Sequence, residues 1–575
     1  MRRSAAAVAL AVALSGCGLP LPGGVQTPRA LPEDQPRAED VVVLPPGPAA
    51  GASARDVVED FLRAQSSPQD DHAVARRFLT PELSRTWRDD AGVEVYDDLR
   101  PPSVTQTSDP EIVRVTARRV AAVGQDGVYR RDGEPLVEDY RVRCVDGTCR
   151  IAALEPGLRL SRSDLAGSFV PRAVHFLAPQ TTGAPGSSHL VVDRVWLPVT
   201  RPAEGLVQAV LDGPSSALAG SVRTAVPPGT ALAAPVASRA DGTVTVDLTG
   251  QVRGLDDLRL QQLSAQLVWT LRALGTGFTR LRLRVEGRRL EVPGTATAQA
   301  ATEWPGYDPE RLRRGVPALY VQDRRLRSLG DDGLPRSEAT DGTLPVDVVA
   351  TRPDGGLALL TRLRGGGTEV RTGPQRGPFG PARAVGALSS PSWGGGERGL
   401  FLVRAGSLVL LRGEGPPVPL PVDTDGRPVR QVRVSRDGVR VAVLVGDADE
   451  PDLLVGRLVD DAGGLRVDAL REIVPTLGRV TDLAWETSQT LVVLATFPAL
   501  GVLPGRVVVD GSSALPLSTR LPQRVVPLSL AAAADRPLVL AMRRVEDPEA
   551  PQELYREDGQ TFAPQGPGSG PTYPG

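Results

Sequence analysis

Five strand–turn–strand units recur through the second half of this chain, and that recurrence sharply limits the folds open to it. Segments 346–350 and 357–360 flank Asp354-Gly355, and segments 432–435 and 439–444 flank Asp437-Gly438. More degenerate copies surround residues 400–403, 491–494 and 538–540. Leu357, Leu400, Arg440, Leu491 and Leu538 serve as matching points and lie 40 to 51 residues apart. Asp-Gly between apolar runs is a strong hairpin signal. A strand-built repeat of about 40–50 residues is the signature of propeller blades, because one small sheet cannot bury its faces alone and must stack on the next. The stretch 299–565 has room for five or six blades, with segment 319–329 or the Leu554-Tyr555 segment closing the ring. A β-sandwich with coincidental turns is the competing arrangement. Residues 566–575 are rich in Gly and Pro and read as a disordered tail.

Two further domains precede the repeats, since 575 residues exceed what one core supports. In 51–168, Ser53 can cap a helix whose Val57, Val58, Phe61 and Leu62 share one face. A second helical run follows through Val74, Phe78 and Leu79, and Thr80-Pro81 then has the form of a cap with proline at the first helical position. From Val104 the pattern becomes alternating, through Ile112, Val113, Val115, Tyr140, Val142 and Ile151. A helices-then-sheet domain results, with the cone-like NTF2 type as one candidate. In 169–298, strands around His175 and Trp196 precede a helix opened by Pro202 and stopped by Gly213-Pro214. A strand at 244–248 precedes a longer helix bearing Leu260, Leu263, Leu267, Leu271 and Leu274, capped by Asp256 or Asp257 and ended by Gly275. The fold class is therefore multidomain: two small α+β domains followed by an all-β propeller of five to six blades.

The N-terminus reads as an export signal. Arg2 and Arg3 precede an apolar run, 5–14, and then Leu14-Ser15-Gly16-Cys17. That run is too short to cross about 30 Å of hydrocarbon as a helix. A cysteine directly after small residues is the bacterial lipobox pattern. The expectation is a signal peptide over 1–16, diacylglycerol on Cys17, and a Pro/Gly-rich spacer over 17–50. An ordinary signal peptide with a chance cysteine is the alternative.

The residue inventory removes several chemistries. The chain has no lysine and no asparagine, so all 66 basic residues are arginine. That pattern fits a GC-rich genome, and arginine pairs such as Arg313-Arg314 are poor evidence of phosphate binding. A net charge of −2 gives no pull toward nucleic acid. Without lysine there is no P-loop lysine and no Schiff base. The only histidines are His72, His175 and His189, with no HExxH, so no metal, cofactor or catalytic residue is assigned. Asp354, Asp437 and Glu486, the acids nearest the expected propeller channel, lie in or beside turns and read as turn formers.

Cys144 and Cys149 flank Asp146-Gly147. In a two-residue hairpin Val145 faces Thr148 and Cys144 faces Cys149, as a non-hydrogen-bonded pair with Cα atoms about 4.5 Å apart. That suits a disulfide in an exported protein, with two free, packed thiols as the alternative.

The middle segment resembles a GerMN domain, through Trp196-Leu197-Pro198, Leu211-Asp212-Gly213-Pro214, 226–230, 246–249 and 266–271. Within it Asp247 and Gln266 read as structural residues. With the lipobox, spacer, Phe61-Leu62-Arg63-Ala64, Arg77-Phe78-Leu79-Thr80 and the propeller, the whole chain resembles the LpqB family of actinobacterial lipoproteins. The resemblance implies a non-enzymatic protein anchored on the extracytoplasmic face of the cell membrane. It also implies a partner, the extracellular part of the sensor kinase MtrB, in a two-component pathway of cell-wall homeostasis and division. Two other functions stay open: a propeller hydrolase acting on envelope glycan or peptide, and a passive scaffold or glycan-binding protein.

Overall fold

A computed structural model describes residues 45–179, 189–310, 317–330, 335–336, 344–352, 354–375, 377–395, 398–447, 449–474 and 477–574. The signal, Cys17 and most of the spacer lie outside them.

The first module is built on one long strand. Helix Ala54–Ala64 starts with a capping box: Ser53 Oγ accepts from Asp56 N at 3.2 Å, and Asp56 Oδ2 accepts from Ser53 N at 3.1 Å. Its buried face, Val57, Val58, Phe61, Leu62 and Ala64, lies on a sheet whose hub is strand Ile112–Gly124. The first half of that strand pairs with Pro135–Val145 and Ser103–Gln106, and the second half with Gly92–Tyr96 and Tyr129–Arg131. Leu158–Ser161 adds a parallel strand, on Gly92–Tyr96. The helix expected to run through Phe78 and Leu79 covers only Ala73–Arg76. Sheet pairing wins there: Ile151 N donates to Phe78 O at 2.9 Å and Thr80 N to Ile151 O at 2.8 Å. Pro81 also disfavours helix at Thr80, which instead caps Pro81–Thr86.

The middle module opens with an antiparallel ribbon, Phe169–Leu177 on Leu190–Pro198. Helix Pro202–Asp212 follows and ends at Gly213, whose φ of 92° only glycine adopts readily. Strands Thr243–Leu248 and Arg280–Val285 are parallel, so a crossover must join them, and helix Asp257–Leu271 provides it. Asp256 caps that helix by accepting from Arg259 N at 2.8 Å. The module runs past the expected boundary at 298. Gln299–Ala300 pairs with Arg280–Val285, and Trp304 Nε1 donates to Gln299 Oε1 at 3.1 Å and Ser264 Oγ at 3.2 Å.

From Ala318 the chain forms six four-stranded antiparallel sheets among the described residues, the all-β propeller expected. Five are sequential, beginning with Val348–Thr351, Ser389–Trp393, Val429–Val434, Val480–Thr487 and Val525–Ala531. The matching points read from the sequence fall at the start of each sheet's second strand, where the first hairpin ends. The sixth sheet corrects the disordered tail. Ser569–Thr572 pairs with Ala318–Gln322, so the last strand closes the ring on the first. Left open, both edges would expose unpaired backbone. The glycine content there serves close approach: a Cβ on Gly568 would sit 2.7 Å from the Tyr320 ring and 2.9 Å from Leu554 Cδ1.

Candidate interaction site at the module junction

Strand Leu190–Pro198 carries charge inside an apolar run, and its Arg194 and Trp196 side chains reach another module. Arg194 Nε donates to Asp510 Oδ2 of the propeller at 2.9 Å, and Trp196 Nε1 donates to the same oxygen at 3.2 Å. The Arg440 guanidinium donates to Val192 O and, at 2.9 Å, to Asp437 Oδ2. Asp193 is buried and accepts from Ser215 N at 2.8 Å and Ser215 Oγ at 2.9 Å. On the other side Trp196 N donates to Gly127 O at 2.8 Å, and the Trp196 and Tyr129 rings stack at 5.3 Å. Arg471 of the propeller closes the triangle by donating to Tyr129 O at 3.2 Å. A second clasp follows the middle module, where Glu310 Oε1 accepts from Ser488 N at 2.7 Å.

Burial dominates the electrostatics. It pushes the Asp193 carboxyl up, against the Ser215 bonds and Arg440. It pushes Glu310 up in the same way, against Ser488 and Arg436. Burial holds Arg471 below its ordinary value, with Asp510 opposing. Charges taken out of water and paired this closely add little net stability, but they fix one orientation, because a mismatched partner would strand a buried charge.

Between the first two modules lies a cavity of about 390 Å3, floored by Val93, Leu158, Phe176 and Trp196 and edged by His72 and Asp89. Burial lowers the His72 pKa, with Asp89 opposing. An apolar floor with a few polar groups suits a small ligand or an inserted partner side chain.

The residues singled out from the sequence are placed as follows. Cys17 lies outside the described residues. Cys144 and Cys149 face each other in register, with Cα atoms 3.9 Å apart and Sγ atoms at 1.99 Å. Asp146 and Gly147 both have positive φ, the turn type such a hairpin prefers. Asp437 is buried and accepts from Val439 N at 3.0 Å. Asp354 is exposed and accepts from Gly356 N at 2.9 Å, and Glu486 pairs with Arg506 at 2.7 Å. None of these three lines the propeller channel, whose acid is Asp482. The histidines do not converge: His72 edges the cavity, His175 is buried beneath Thr270, and His189 contacts Asp437 O at 3.2 Å. Asp247 accepts from Gly287 N at 2.9 Å, and Gln266 bridges Ala225 N and His175 O, both structural. Sequence reasoning missed Asp193, Arg194 and Asp510. The available signal was two adjacent charges inside an otherwise apolar strand. No cluster of three or more His, Cys, Asp or Glu able to hold a metal occurs among the described residues.

Comparison with known proteins follows the same three-part division. Residues 47–166 match the family described as Lipoprotein LpqB, N-terminal domain, and 334–551 match the Lipoprotein LpqB beta-propeller domain. Residues 173–291 match the Germane family, described under sporulation and spore germination. A Thermobifida fusca protein named Lipoprotein LpqB is 30% identical and aligns over 86% of this chain and 87% of its own length. The chain belongs to the LpqB family. A Streptomyces coelicolor LpqB is 28% identical over 100% of this chain and 98% of itself. The LpqB propeller match, 334–551, stops short of both segments that close the ring here, Ala318–Gln322 and Ser569–Thr572. Among solved structures, a prolyl endopeptidase is 17% identical with a TM-score of 0.29, covering 46% of this chain and 41% of its own, a likeness too slight to argue from.

Proposed function

We propose that this protein is a lipid-anchored, extracytoplasmic, non-enzymatic accessory protein that binds a sensor kinase of the MtrB type and modulates its signalling in cell-wall homeostasis and division. The observation that carries the proposal is the junction, where Arg194, Trp196, Asp510, Arg440 and Arg471 tie three modules into one body. A rigid body can favour one shape of a partner over another, and only such differential affinity shifts a signalling equilibrium. Family membership and the Cys17 lipobox support the tether, which confines both proteins to one surface and raises their effective concentration. No helix among the described residues is long and apolar enough to cross a membrane.

Three measurements test this. Cys17→Ser should release the protein from membranes; unchanged retention removes the anchor. The full chain, in membranes with the kinase ectodomain, should form a saturable complex, and its deletion should change pathway output. A passive scaffold gives neither, and turnover of envelope glycan or peptide by the purified chain would replace the proposal with a hydrolase.

A further inference from the structure

The propeller axis holds a polar channel that the junction does not use. Its volume is about 350 Å3, at the small end of the range of ligand sites, about 300–1,000 Å3. The inner strands meet there, and all six contribute polar residues to the lining: Thr351, Ser390, Arg433 with Gln431, Asp482, Ser529 and Thr572. Arg430, near the start of its strand, is exposed, so that end of the channel meets solvent.

The charges in this channel are paired only loosely. Asp482 is saturated by the fold: Oδ1 accepts from Gln431 Nε2 at 2.5 Å and Leu483 N at 2.9 Å, and Oδ2 from Leu530 N at 2.8 Å. Arg433 Nη1 donates to Ser390 Oγ and Val432 O, each at 2.9 Å. Its Nη2 stands 3.7 Å from Asp482 Oδ1, beyond hydrogen-bond reach. Ser390 is held there with a φ of 50° inside a β-bulge, backbone that a non-glycine residue adopts at a cost. Two hydroxyls on the strands that flank Ser569–Thr572, Thr351 Oγ1 and Ser529 Oγ, are buried without a hydrogen-bond partner, and Thr351 is only 3% exposed. A buried unpartnered hydroxyl costs free energy, so a channel with two of them beside an underused guanidinium is arranged for an occupant.

We propose that the channel binds one small oxyanion-bearing polyol, the size of a sugar acid or sugar phosphate. Arg433 takes the carboxylate or phosphate, and Thr351 and Ser529 take hydroxyls. The guanidinium suits either oxyanion, because both match its planar fork.

The test uses the full chain in detergent, titrated calorimetrically with glucuronate, glucose 6-phosphate and glucose. Either anion should bind saturably and neutral glucose at least tenfold more weakly, about the effect of losing one charge-assisted bond. The tighter anion distinguishes carboxylate from phosphate. Arg433→Gln should weaken anion binding about tenfold to a hundredfold. Thr351→Val, nearly isosteric, should weaken it a few-fold while raising the melting temperature of the empty protein, since it deletes an unpartnered hydroxyl. No saturable binding of either anion overturns the proposal, as does anion binding that Arg433→Gln leaves unchanged. If Arg433→Gln does not fold, Thr351→Val decides, and unchanged affinity in it overturns the proposal.

Discussion

Acidification should loosen the middle module through one histidine. His175 is buried, its backbone N–H donating to Thr270 Oγ1 at 3.0 Å and its ring 5.8 Å from Trp269. Burial, with Arg272 adding to it, lowers its pKa from 6.5 to about 3. The folded state thus favours the neutral ring, and the stability this supplies is present above pH 6.5 and lost as pH falls, because the unfolded chain takes up a proton the folded one refuses. At pH 5 the deficit spans about 1.5 units, or about 2 kcal/mol. Asp193 and Glu310 have raised values and oppose this, gaining stability as pH falls. The raw pH profile therefore mixes signs, and the comparison with His175→Gln isolates the histidine. The assay is hydrogen exchange of amides in helix Asp257–Leu271, corrected for intrinsic rates, since a multidomain chain need not unfold in two states. The opening free energy of wild type relative to His175→Gln should fall by about 2 kcal/mol between pH 7 and pH 5. A difference identical at the two pH values refutes the reasoning.

Asp510→Ala strands Arg194 and the Trp196 indole N–H, and should cost about 3 kcal/mol at the junction, read in calorimetry as module transitions further apart than in wild type. Deleting residues 566–575 removes the closing strand and should lower the propeller melting temperature and promote association through the exposed edge; an unchanged transition would contradict ring closure. Gly568→Ala pushes a methyl group against Tyr320 and Leu554 and should cost about 1–3 kcal/mol in chemical denaturation. Replacing both Cys144 and Cys149 by serine opens a loop closed over a sequence separation of 5, and should cost at most about 2 kcal/mol, confined to the first module.

What the sequence made legible was local. Five propeller repeats announced themselves through their first hairpins, most clearly the two where an Asp-Gly turn and apolar alternation occupy adjacent residues. Two of the outermost strands left no signal, since Arg383–Ala384 and Val418–Pro419 are two residues long. The closing strand was misread because composition alone cannot separate glycine that frees a chain from glycine that lets it pass close to an aromatic ring, as Gly568 does. Helical spacing at Val74 and Phe78 was misleading because pairing with Ile151 outweighed it. The junction was illegible for a different reason. Arg194 and Asp510 meet across 316 residues, and no periodicity records such a pair. The channel is similar: Arg433 and Asp482 sit in apolar strands on consecutive blades, and only the packing of one blade on the next brings them together.

That contrast bears on how the protein works. Joining three modules through apolar faces would leave sticky patches exposed whenever one module folded before the next, as happens during synthesis of a multidomain chain. Buried charges avoid this, because Arg194, Asp510 and Arg440 remain well solvated until the correct surfaces meet, and a wrong docking leaves them unpaired. The cost is a junction with little net stability, sensitive to the protonation of Asp193 and Glu310. Their sign makes it looser, not tighter, as pH rises through their elevated values. A partner that reads the relative placement of the three modules would therefore sense anything that acts on this junction, without a ligand touching the binding face itself.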